Sequence, residues 1–64
     1  MNIQNLRYFV MFSEELNYTR AAEKCFISRQ ALQQSIHSLE KEYDVTLVLN
    51  RHNSLSLTPA GQRL

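Results

Sequence analysis

The chain has 64 residues with a single cysteine, and its 7 Lys+Arg against 6 Asp+Glu leave a formal charge of +1. That length holds one small domain, marginal in stability without support from a partner, and a lone Cys25 excludes both an internal disulfide and a multi-cysteine metal site. A reducing, cytoplasmic setting suits such a chain; "MNIQNLRYFV" lacks the order of a secretory signal, and no apolar run approaches the ~20 residues of a membrane span, so no membrane partner is expected.

The first segment, from about Ile3 to Leu16, carries Leu6, Phe9, Val10 and Ser13 on one side at helical spacing. Ile3, Phe12 and Leu16 widen that side, and Asn17 is a plausible stop because Asn tolerates the left-handed conformation. A short second helix is expected from Thr19, whose hydroxyl can cap the free N–H groups of "RAAEK". Ala22 occupies the place a capping box gives to Glu or Gln, and Ala21 and Ala22 are small enough for a close helix neighbour. "CFIS" reads as a tight connection with Cys25 as a small core residue beneath it. A redox role would instead need exposure and a lowered thiol pKa.

Ser28 is a good N-cap for a third helix reaching about Tyr43. At roughly 100° per residue, Leu32, Ile36, Leu39 and Tyr43 share one stripe, and Gln30, Gln33, Gln34, His37 and Lys41 lie opposite. The period then changes: "VTLVLN" is β-branched and apolar, "SLSLT" alternates, and "RHN" between them is polar, which predicts a β-hairpin. Thr58 followed by Pro59 predicts a helix start. Ending one turn into that helix suggests a piece of a longer protein. There is no internal repeat or low-complexity tract.

Two short helices joined by a tight turn, backed by a hairpin, make a winged helix-turn-helix. The third helix has an unusual outer face. A solvated helix face generally carries Glu and Lys, yet this one carries amides, and no acid occurs from Cys25 to Leu39. The major groove of B-DNA admits a helix, Gln can both donate to and accept from adenine, and Arg can pair with guanine. Candidate base-reading residues are therefore Arg29, Gln30, Gln33, Gln34 and His37. Ser28 stands where free helix N–H groups can receive phosphate, and Thr19, Arg20 and Arg51 stand near termini expected to face the DNA backbone. The bland alternative is a merely solvated face. His37 with Glu40 is a poor metal pair, and Tyr8, Phe9 and Phe12 suit core or dimer-facing bulk better than base stacking. A protein-binding winged helix using its aromatic first helix is the rival function. No Ser-His-Asp, Cys-His or paired-carboxylate arrangement suggests an enzyme.

At "LRYFV", at "TRAAEKCFIS" leading into "ALQQSIHSLEKE", and at "LSLTPAG" the chain resembles the DNA-binding domain of LysR-type transcriptional regulators of bacteria. The resemblance implies a mainly α fold: a three-helix core with a β-hairpin wing over residues 1–58 and the start of a linker helix over 59–64. It implies double-stranded DNA as partner, backbone contacts by the wing's Arg51, His52 and Asn53, and no cofactor. It also implies a homodimer or higher oligomer of the full-length protein through the linker helix. A small-molecule inducer would bind only a separate effector domain outside this chain. Several departures stand out. Gln30 replaces a frequent proline, Tyr43-Asp44-Val45 a common Leu-Gly-Val, and Val48 a phenylalanine. The arginine at the start of the wing is displaced to Arg51, implying a tip shifted or shortened by one residue, and the tip "HNS" is less basic than usual.

Overall fold

A computed structural model describes residues 2–64. In chain order it contains α1 (Ile3–Glu15), α2 (Tyr18–Cys25), α3 (Arg29–Tyr43), β1 (Val48–Arg51), β2 (Ser54–Leu57) and α4 (Pro59–Arg63). The predicted winged helix-turn-helix is thus the observed architecture: three helices in mutual contact, an antiparallel hairpin, and the first turn of a further helix.

Each helix starts on a side-chain cap. The Asn2 side-chain oxygen Oδ1 accepts from the N–H groups of Gln4 and Asn5 at 2.9 and 3.3 Å. Asn17 accepts from Arg20 N–H at 2.9 Å, Ser28 from Ala31 at 3.0 Å and Thr58 from Gly61 at 3.0 Å. Such caps satisfy backbone donors that the helix itself leaves free. Ser28 and Thr58 fill the roles expected of them, and Pro59 follows as the first helical residue. The junction between α1 and α2 differs from the sequence reading. Leu16, not Asn17, takes the left-handed conformation (φ 49°), while Asn17 is extended and caps α2. Thr19 is therefore a helical residue, one place beyond the first. Asn serves as a cap as readily as a left-handed stop, and a capping bond outweighed leucine's preference against positive φ.

The core gathers Phe9 and Phe12 from α1, Ala21 and Ala22 from α2, Leu32, Ile36 and Leu39 from α3, and Leu47 from the approach to the wing. The two alanines let α2 lie close to its neighbours. Val10, expected on the inner side of α1, is exposed; burying Phe9 and Phe12 rotates it outward. Cys25, expected as a small core residue, is only half-buried and is not part of this core. Ser35 is the one buried polar residue among those described, and its hydroxyl donates to the Asn5 side-chain carbonyl at 2.6 Å, bolting α3 to α1.

The hairpin pairs Val48 with Leu57, Leu49 with Ser56, Asn50 with Leu55 and Arg51 with Ser54. Pairing starts at Val48 rather than Val45, and it includes Arg51, so the tip is only His52 and Asn53. Both have positive φ (51° and 62°), the backbone of a two-residue turn whose twist matches the strands. The wing root is tied twice. Leu47 and Val48 N–H groups donate to the Glu40 carboxylate at 2.8 and 3.4 Å. The Thr58 N–H donates to the Leu47 carbonyl at 2.9 Å, and its hydroxyl donates to the Thr46 carbonyl.

Candidate nucleic-acid interface

Helix α3 has 15 residues and is about 22 Å long at 1.5 Å per residue. Its inner stripe is anchored by Leu32, Ser35, Ile36 and Leu39, all buried. That anchoring leaves no rotational freedom, so the opposite face is fixed as well. Gln30, Gln33, Gln34 and His37 are all exposed along it. With Tyr18, Ile36 and Glu40 they line an open cleft of about 420 Å³.

Arg29 belongs elsewhere. It lines a second cleft of about 240 Å³ with Thr19 from α2, Asn53 from the wing tip, and Leu16, Asn17, Tyr18 and Leu55. The structure thus brings three of the predicted site residues together where α2, α3 and the wing converge. Arg20, Ser28, Arg51 and His52 are exposed but line neither cleft.

Two residues that the sequence reading did not assign to the site border it. Glu40 ends the acid-free stretch, and its Oε1 lies 3.7 Å from His37 Nδ1 while its Oε2 receives the wing-root N–H groups. The signal was available: an acid at the edge of a face that excludes acids needs a partner of its own. Tyr18 is the first residue of α2 and lines both clefts. Its ring stacks on Phe12 with centroids 4.5 Å apart. Burial first, then the Glu40 carboxylate, raise its hydroxyl pKa, with Arg29 acting in opposition. Its proton is therefore held more firmly than in an ordinary tyrosine. No periodicity in the sequence distinguishes a tyrosine with an inward ring and outward hydroxyl from plain core.

Elsewhere the chemistry is sparse. Burial pushes the Cys25 thiol up, the opposite of a reactive cysteine. Among the described residues, no three His, Cys, Asp or Glu side chains cluster to hold a metal, and no helix is long and apolar enough to cross a membrane. The face is built for hydrogen bonding: amide, imidazole, hydroxyl and guanidinium groups on a rigid frame.

Known proteins share this frame. The Hca operon transcriptional activator HcaR of Escherichia coli (strain K12) is 40% identical over 62 residues, covering 97% of this chain and 21% of HcaR. A transcriptional regulator of the LysR family from Eggerthella lenta DSM 2243 superposes with a TM-score of 0.93 at 38% identity, over 98% of this chain and 90% of that one. The BenM DBD crystallised as a complex with catB site 1 DNA superposes with a TM-score of 0.91 at 35% identity, over 98% of this chain and 71% of that one. The chain spans about a fifth of the length of the curated relatives it matches. Residues 3–62 match the profile described as bacterial regulatory helix-turn-helix protein, lysR family, and the chain belongs to that family.

Proposed function

We propose that this chain is the sequence-specific DNA-binding domain of a transcription regulator, with α3 entering the major groove of double-stranded DNA. One observation carries the reading: an acid-free row of exposed amides, Gln30, Gln33 and Gln34, on a helix whose other side is locked in the core. Amides discriminate bases because each donates and accepts in a fixed geometry, whereas a lysine would adhere to any phosphate. Gln30, Gln33, Gln34 and His37 read base edges, and Arg29 reads from the cleft it shares with Thr19 and Asn53. Thr19, Arg20, Ser28, Arg51, His52 and Asn53 hold the sugar-phosphate backbone. Residues 1–58 form the binding unit, and 59–64 begin a linker helix in a longer regulator that acts in the bacterial cytoplasm and takes its inducer elsewhere.

The geometry also suits a pair. The molecule measures 30 × 26 × 17 Å. Two copies in a dimer can therefore stand side by side on half-sites about 34–36 Å apart, one turn of B-DNA.

Substitution tests the division of labour on a duplex enriched from a random pool by the chain itself. Gln33→Ala is expected to relax preference at one base pair, costing about 1–3 kcal/mol there. Arg51→Ala should weaken every duplex alike. A uniform loss from Gln33→Ala, or none, contradicts direct readout.

A further inference from the structure

The Tyr18 side chain is divided between two environments. Its ring lies against Phe12, a fully buried core residue, with ring centroids 4.5 Å apart. Its edge lines both clefts, so it stands on the ridge between the row of glutamines and the pocket of Thr19, Arg29 and Asn53. Its hydroxyl reaches solvent, and among the described residues none hydrogen-bonds to it. The nearby Glu40 carboxylate is turned instead toward the Leu47 and Val48 N–H groups and His37.

We propose that the Tyr18 hydroxyl is a further DNA contact, donating a hydrogen bond to a phosphate oxygen at the edge of the groove that α3 occupies. The inference rests on the DNA-binding reading above and deepens it. Phosphate is the better acceptor here than a base edge. Tyr18 lines the cleft where α2, α3 and the wing tip converge, together with Thr19, Arg29 and Asn53. Thr19 and Asn53 are the backbone-holding residues of that cleft, and a tyrosine hydroxyl beside them adds a third contact of the same kind. The stack on Phe12 fixes the ring beforehand, so little side-chain freedom remains to be lost on binding. The phenol is neutral, so its contact adds affinity without steepening the salt dependence.

The test is a double-mutant cycle between Tyr18→Phe and single methylphosphonate replacements in the enriched duplex. Tyr18→Phe keeps the ring and its stack and deletes only the oxygen. The expected result is a roughly threefold to tenfold weaker complex, equal across single-base variants of the duplex, with an unchanged salt slope and thermal midpoint. At one phosphonate position the difference between Tyr and Phe should vanish, a coupling that a general packing role would not produce. Equal binding of the two proteins overturns the proposal. So does a loss confined to one base pair, or one that persists at every phosphonate position. If the unsubstituted chain binds no duplex, the functional reading itself falls; if it binds and Tyr18→Phe matches it, only the Tyr18 contact falls.

Discussion

Single residues hold the wing against the helices. Gly61, the only glycine, is buried in α4 where a Cβ would collide with the Leu47 backbone carbonyl. That carbonyl is already fixed by the Thr58 N–H, and backbone gives way less easily than a flexible side chain. Gly61→Ala is therefore expected to destabilise the fold by roughly 1–3 kcal/mol through overpacking, measured as the shift in a urea unfolding midpoint. A neutral result would mean that α4 can slide away from Leu47. Ser28 and Thr58 were legible in the sequence, because a hydroxyl before a helical run has few other uses. The role of Tyr18 and the particular partners of Glu40 were not. Their roles depend on which groups from Phe12, Leu47 and Val48 meet them, and those contacts span 6 to 8 residues of chain.

The helix-turn-helix element ends α2 and α3 without glycine. Phe26 and Asp44 both take left-handed φ, at 60° and 53°. Ile27 N–H donates to the Ala22 carbonyl and Val45 N–H to the Glu40 carbonyl, each at 3.1 Å, closing both ends in the Schellman manner. Phe26 is 94% exposed, so its ring contributes almost no packing. Left-handed backbone costs a non-glycine residue about 1–2 kcal/mol, and glycine's extra freedom when unfolded returns about 0.5–1 of that. Phe26→Gly should consequently raise stability by roughly 0.5–1 kcal/mol, seen as a higher melting temperature; a lower one would show that the ring has a contact in the folded state. At this scale the sequence carried the inner stripe of α3 and the hairpin clearly, since periods of 3.6 and 2 reflect burial on one side. It carried boundaries less well. Asn17 can stop one helix or cap the next, and only the competition with Leu16 decides which.

The whole molecule joins a nearly neutral charge to a row of amides that meets no acid before Glu40. Its formal charge of +1 predicts a shallow salt dependence for DNA binding, with a slope of about −0.9 for each phosphate neutralised. Its stability has an alkaline limit. Cys25, Tyr18 and Lys24 all have raised pKa values, the first two through burial and the third through its bond to Glu15 at 2.6 Å. Their ordinary values are 9.0, 10.0 and 10.5. A raised value means that the folded chain holds the proton more tightly, so the contribution is complete below the ordinary value and is lost as pH climbs through the folded one. The melting temperature should thus fall as pH rises above about 9, and Cys25→Ala should lessen the first part of the fall. A midpoint that stays flat into the alkaline range would contradict those environments. The central claim is that the amide face of α3 touches DNA, and amide and side-chain NMR shifts of the 64-residue chain, titrated with its enriched duplex, test it most directly. The account predicts the largest changes at Gln30, Gln33, Gln34 and His37, followed by Thr19, Arg29 and the wing tip, with Ile3 and Val10 unmoved. Changes centred on α1, with the glutamine side chains silent, would contradict it.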